Sequence, residues 1–242
     1  MPTNRLSETF GKGVYGAPEA LHLVNFARED EIVRQRISRA TLARWLRGYS
    51  YETNGATMWS GPLWIPDYAN DDETIELSFR DVIEARFVRA FRELGLSLQA
   101  IRECFEQAVE DVQDPRPFST KRFRTDGKTI FLEITSNLKD PQLVDRRRRQ
   151  RVFREVVAPS LKDLEFDAEV VARWYPLGAS RNIVIDPTRS FGRAIDAESG
   201  VPAETLAGAV VAEGTAERAA AIYEVSISAV KAAVAFQQRL AA

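Results

Sequence analysis

The stretch Ile37-Ser38-Arg39-Ala40-Thr41-Leu42-Ala43-Arg44-Trp45-Leu46-Arg47-Gly48-Tyr49 decides how the rest of the chain reads. A serine such as Ser38 accepts a hydrogen bond from the unpaired N–H groups of a first helical turn, and Ile37 and Leu42 stand at the spacing of a hydrophobic staple across it. With Ser38 as the cap, Leu42, Trp45 and Leu46 fall on one face, and Arg39, Ala40, Arg44 and Arg47 on the other. Small residues let such a helix approach a duplex, and arginines reach guanine edges or phosphates. Ser38, Arg39, Thr41, Arg44, Arg47 and Tyr49 are therefore the candidate DNA-binding residues of a recognition helix. A solvated amphipathic helix is the other reading of the same pattern.

The same start signal recurs outward from this stretch, at Leu77-Ser78…Val82, Leu96-Ser97…Ile101 and Val225-Ser226…Val230, and marks a mainly helical protein. Phe79, Val82, Ile83, Phe87, Ala90, Phe91 and Leu94 keep helical spacing, and Gly95 suits the left-handed position that ends a helix. Leu98, Ile101, Phe105 and Ala108 continue on a next helix, set at an angle by the short corner Leu94-Gly95-Leu96-Ser97. A first helix is expected over Pro18 to Val24, and a run rich in Gly, Trp and Pro follows the arginine helix from Tyr51 to Asp67. Pro115 and Pro117 mark a boundary. Beyond it, Arg122 to Arg124 and Thr129 to Ile134 flank Asp126-Gly127 as a β-hairpin, and a basic helix from 142 is stopped or kinked by Pro159. A second boundary falls at Pro176-Leu177-Gly178. Asn182 to Pro187 reads as a short apolar strand, followed by helices over Ala203–Glu213, Thr215–Tyr223 and Ser226–Arg239. The expected fold class is mainly α with small β-hairpins, divided into 1–112, a basic α+β middle region 113–178, and a trihelical, helix-turn-helix-like 179–242.

Of 242 residues, 33 Lys and Arg nearly balance 35 Asp and Glu, for a net charge of −2. That total hides segregation. Arg34, Arg36, Arg39, Arg44 and Arg47 have no acid among them, and 121–154 holds Lys121, Arg122, Arg124, Lys128, Lys139, Arg146 to Arg149, Arg151 and Arg154 against Asp126, Glu133, Asp140 and Asp145. Arginine-rich segments of this kind are the footprint of phosphate binding, or else solvated faces or docking surfaces for an acidic protein. Cys104 and His22 are single residues of their type, which excludes an internal disulfide and a Cys/His structural zinc site. They also disfavour a His-based triad. Asp71 and Asp72 sit in a polar loop, and no Gly-rich phosphate loop or metal-ligand spacing appears, so the expectation is no enzyme, no metal and no cofactor. Without a run of 18 apolar residues or a secretory start, the chain reads as soluble and cytoplasmic, with no membrane partner.

The order of helix, recognition helix, wing and capped helix pair resembles the winged helix-turn-helix of MerR-like regulators. The likeness is carried by Ser38 to Leu46 and by Arg92-Glu93-Leu94-Gly95-Leu96-Ser97-Leu98-Gln99-Ala100-Ile101, and covers roughly 14–112. It departs from the pattern in an inserted Asn25 to Arg36 and in the lack of a Cys-based effector site, which disfavours metal or redox sensing. The C-terminal segment resembles a trihelical domain of antitoxins encoded beside PIN-like ribonuclease toxins. Ile183 to Pro187, Phe191 to Ile195, Gly200 to Leu206, Ala207 to Glu213 and Tyr223 to Ser226 carry it. Together the order is similar to the longer VapB-type antitoxins, and implies DNA-binding autoregulation as a repressor, neutralisation of a ribonuclease toxin, and a dimer.

On this reading Arg146, Arg147, Arg148, Arg149 and Arg151 either track DNA backbone or approach the carboxylates with which a PIN-like toxin holds its metal, since guanidinium matches carboxylate bidentately. A solvated helix face is the third possibility. Residues 179–242 lack a phosphate-binding balance of charge, and the Ala-rich run Ala229 to Ala235 suits close packing, so dimerisation or fold support is expected there. Trp59, Trp64, Trp174 and Tyr175 are expected in core or wing packing. A stand-alone MerR-like regulator that senses a small ligand remains the alternative.

Overall fold

The computed structural model describes residues 11–27, 36–68, 74–93, 95–126, 150, 158–180 and 182–241. Strand β1 (Tyr15–Gly16) leads into α1 (Ala17–Asn25), then α2 (Arg39–Arg47), the hairpin β2 (Tyr49–Thr53) and β3 (Ala56–Ser60), and β4 (Glu76–Leu77), which pairs back onto β1. Helices α3 (Phe79–Glu93) and α4 (Leu98–Val112) follow. After α5 (Ala158–Lys162), strands β5 (Leu164–Asp167), β6 (Val170–Trp174), β7 (Ile183–Ile185) and β8 (Ala194–Asp196) form one antiparallel sheet in that order. Helices α6 (Ala203–Glu213), α7 (Ala216–Tyr223) and α8 (Ile227–Ala241) close the chain. The protein is mainly helical with small antiparallel sheets, as its sequence suggests.

Every serine cap expected from the sequence is present. The Oγ atoms of Ser38, Ser78, Ser97 and Ser226 accept from the backbone N–H three residues on, at Thr41, Asp81, Ala100 and Ala229. Gly95 has φ +83° and closes α3, with Leu96 N–H donating to Phe91 C=O. This is the backbone geometry that a side chain would strain. Alternation places Leu42, Trp45 and Leu46 of α2 in the core, and the aromatic cluster Phe87, Phe91, Phe105, Phe118 and Phe123 holds α3, α4 and the chain beyond them together.

The expected hairpin around Asp126-Gly127 is not what its first arm forms: residues 121–126 are helical, while 129–134 lies outside the described residues. Thr120 caps this turn, its Oγ1 accepting from Phe123 N–H at 3.1 Å and its carbonyl from Arg124 N–H at 3.1 Å. Burial of Phe123 against Phe87 and Phe118 then fixes it. Pro159 is the second residue of the helix Ala158–Lys162, and residues 151–157, which would decide whether it stops or kinks the expected basic helix, lie outside the described residues. Most of the basic helix expected from 142 lies outside the described residues.

Strands β5 and β6 were not anticipated, because the turn between them contains Ala168 at φ +49° in place of the usual glycine or asparagine. Trp174 pairs with Ile185, so one sheet runs across Pro176-Leu177-Gly178, where the sequence placed a division. The two ends of the chain also meet. Phe26 stacks on Phe236 at 5.2 Å and meets Trp174 edge-on at 5.7 Å, and Tyr15 donates its hydroxyl to Gly192 C=O at 2.8 Å.

Candidate nucleic-acid interface

The site begins with what holds α2 in place. Asn25 is buried and clamps the chain on both sides of the inserted segment: its Oδ1 accepts from Ile37 N–H at 2.7 Å and its Nδ2 donates to Ile37 C=O at 2.9 Å. Arg86 donates to the carbonyls of Leu23 and Phe26 at 2.7 and 3.0 Å, satisfying the end of α1, while its guanidinium lies 4.0 Å from the Trp174 ring centroid. Neither role is visible in the sequence, where Asn25 reads as the start of an inserted segment.

The far end of α2 is fixed by Gly48, at φ +82°. A Cβ here would lie 2.4 Å from Ser60 O and 2.8 Å from the Trp59 ring, so only glycine lets the helix turn straight into the hairpin. Leu63 N–H donates to Trp45 C=O at 2.7 Å, and Arg102 reaches from α4 to Pro62 O, Gly61 O and Ser60 Oγ at 2.7, 2.7 and 3.0 Å. Below them, Asp81 is fully buried and accepts from Trp64 Nε1 at 3.0 Å, Arg116 Nε at 2.7 Å and Asp67 N–H at 3.0 Å. Helix and hairpin thus stand on a framework whose polar groups are paired.

On that framework Ser38 and Thr41 sit at the first turn of α2, with their hydroxyls 3.0 Å apart. Arg39, Ala40 and Arg44 are exposed, and the Arg44 guanidinium lies 5.9 Å from the Tyr49 ring centroid. Arg47 is turned another way: it is half-buried and donates to Thr74 C=O at 3.1 Å. The fold therefore groups Ser38, Arg39, Thr41, Arg44 and Tyr49 around one surface and commits Arg47 partly to the joint with the β4 segment. Arg146 to Arg149 and Arg151 lie outside the described residues.

The hairpin is exposed along nearly its whole length, with Asn54 at φ +50° and Gly55 at φ +76° making the two-residue turn. Trp64 and Trp174 are core residues, whereas Trp59 is 64% exposed on the hairpin. His22 lines a cavity of about 370 Å³ with Glu19, Leu23, Arg193, Phe236 and Leu240, and burial raises the Glu19 carboxyl above its usual range. Among the described residues, no three His, Cys, Asp or Glu side chains converge to hold a metal ion, and no single helix is long and apolar enough to cross a membrane.

Fold and site define a mainly helical protein in which a serine-capped arginine helix is locked to an exposed two-stranded hairpin. No family model matches the chain. It is similar to the protein described as "Putative antitoxin VapB45" of Mycobacterium tuberculosis (strain ATCC 25618 / H37Rv), at 28% identity over 201 residues, 78% of this chain and 84% of that protein. The crystal structure of Rv2018 from Mycobacterium tuberculosis has the same fold, with a TM-score of 0.66 at 21% identity over 93% of this chain and 99% of that one.

Proposed function

We propose that this chain is the antitoxin of a type II toxin–antitoxin system, a non-enzymatic, homodimeric cytoplasmic regulator that neutralises a PIN-like ribonuclease toxin and represses its own operator. The sequence likeness to VapB45, extending over most of both proteins, supports the antitoxin role. DNA binding rests on one observation: Arg39 and Arg44 are exposed on a helix clamped at both ends, by Asn25 and by Gly48, and pointing into solvent beside the wing-like hairpin. A rigid, capped cationic helix is what readout of a major groove requires, which agrees with the MerR-like resemblance of the first 112 residues. Ser38, Thr41 and Tyr49 complete the contact surface, with Arg47 serving at its edge. Arg146 to Arg149 and Arg151 are assigned to the toxin, where guanidinium groups would meet the acidic metal site of the ribonuclease.

The test uses the full chain. A duplex of the DNA immediately upstream of its reading frame binds with an affinity that falls steeply with salt, and Arg39→Ala and Arg44→Ala each weaken it by roughly 1–3 kcal/mol. Unchanged affinity in the double variant refutes the DNA assignment. Co-expression with the product of the neighbouring reading frame yields a stable complex without ribonuclease activity, and Ala at Arg146 to Arg149 releases that activity. A lone gene, together with a melting curve shifted by a small metabolite, would favour a ligand sensor instead.

A further inference from the structure

The cavity of about 370 Å³ beside His22 is built by both ends of the chain. Helix α1 supplies Glu19 and His22, the turn before β8 supplies Arg193, and α8 supplies Gln237, over a floor of Leu23 and Phe236. Both floor residues are buried. Small-ligand sites enclose about 300–1,000 Å³ and combine an apolar lining with a few convergent polar groups, which is the composition found here.

The polar groups of the rim have capacity to spare. Arg193 donates to Glu204 through Nη1 at 3.1 Å, which leaves Nε and Nη2 of its planar fork open to a second acceptor. Both partners of that pair are exposed, so it holds weakly and can share its guanidinium. Glu19 and the Gln237 amide make no hydrogen bond or ion pair among the described residues. Partial burial at the cavity wall raises the Glu19 carboxyl above its usual range, and Arg193 offsets this only from a distance, so a cation brought against Glu19 gains a partner.

A carboxylate that lacks a cation and a guanidinium with open donors thus share one rim above an apolar floor. We infer that the cavity binds a free α-amino acid with an apolar side chain. Its ammonium group meets Glu19, its carboxylate meets the Arg193 fork, and its side chain rests on Phe236. A simple amine leaves the guanidinium unused, and a simple carboxylate is repelled by Glu19 and Glu204. The zwitterion satisfies both groups and leaves the net charge of the site unchanged. This site goes beyond the antitoxin reading and does not rest on it: operator and toxin binding are read separately, and the neighbouring reading frame still decides between antitoxin and ligand sensor.

His22 is the single histidine of the chain, so in the tag-free full chain its imidazole protons report on the cavity in an NMR titration at constant pH. L-phenylalanine and L-leucine shift that signal saturably. Phenethylamine, which lacks the carboxylate, and 3-phenylpropionate, which lacks the ammonium group, bind about ten-fold more weakly. Glycine, which has no side chain to bury, leaves the signal in place. Glu19→Gln weakens L-phenylalanine but not 3-phenylpropionate, and Arg193→Gln weakens L-phenylalanine but not phenethylamine. Glu19 and Arg193 are exposed, so the melting midpoints of the ligand-free variants stay at the wild-type value. The inference is overturned if L-phenylalanine leaves the histidine signal unmoved, or if phenethylamine or 3-phenylpropionate binds wild type as tightly as the amino acid does. It is overturned equally if both variants bind L-phenylalanine like the wild type.

Discussion

Glu84 is a carboxylic acid with no solvent exposure, and each of its oxygens faces a backbone donor, Phe118 N–H at 3.2 Å and Ser119 N–H at 2.8 Å. Burial pushes its pKa up to about 8, against the opposing pull of Ser119 and Arg80. In the unfolded chain the same group ionises near the ordinary carboxyl value of 4.5. Between those two values the folded state holds a proton that the unfolded state has lost, so this group's contribution to stability falls as pH rises from 4.5 to about 8. Unfolding free energies from urea titrations across that window should decline by an amount on the order of a few kcal/mol. In Glu84→Gln, which is less stable at low pH because one N–H meets an amide nitrogen, that decline should be absent; a wild-type profile in the variant would show that Glu84 does not titrate. Nothing in the sequence points to this residue. Within Val82-Ile83-Glu84-Ala85 a charged side chain reads as solvent-facing, and only the later turn at Pro117–Ser119 supplies its partners. Asp81 and Asn25 escaped notice for the same reason: a buried polar group is justified by a partner that local sequence cannot display.

Elements were more legible than residues, because their ends are written in local chemistry. Ser38, Ser97 and Ser226 with their flanking apolar residues locate the starts of α2, α4 and α8, and the helix expected from Ala203 to about Glu213 spans Ala203–Glu213. The failures were local competitions decided elsewhere. Asp126-Gly127 has the composition of a hairpin turn, yet the Thr120 cap and the Phe118 cluster make the preceding residues helical. The hairpin β2–β3 overlaps the Gly-, Trp- and Pro-rich run, and its orientation comes from Arg102 on α4, which fastens Ser60, Gly61 and Pro62. Arg102→Ala should cost about 1 kcal/mol, since the group is partly exposed. Its larger effect is local: amide exchange at 58–63 should quicken while α3 stays protected, and, on the DNA-binding proposal, operator affinity should fall because the hairpin is no longer held beside Arg44. Equal exchange in both proteins would show that the hairpin is positioned without Arg102.

At the scale of the molecule, the proline clusters suggested three separable segments, and the packing ties the described residues together. Phe26 from α1 lies between Trp174 of the sheet and Phe236 of α8, and β7 extends the sheet begun by β5 and β6. Phe236→Ala should cost about 3–5 kcal/mol and lower the unfolding midpoint reported by tryptophan fluorescence, including Trp45 and Trp64 at the far end, in a single transition. Two separated transitions would show that the N-terminal helices and the C-terminal bundle unfold independently. The sequence could not disclose this union, because hydrophobic periodicity marks a buried face without naming what covers it. The contact between Tyr15 and Gly192 belongs to the same union and spans 177 positions. A Cβ on Gly192 would fall 2.2 Å from the Tyr15 hydroxyl, so the fit depends on a glycine at that turn. Strand β1 thus takes its sheet partner from β4 but the acceptor for its buried hydroxyl from a turn 177 positions along the chain. During synthesis that hydroxyl has no such acceptor until translation has passed Gly192, so this contact closes only after the strand pair around Tyr15 can form.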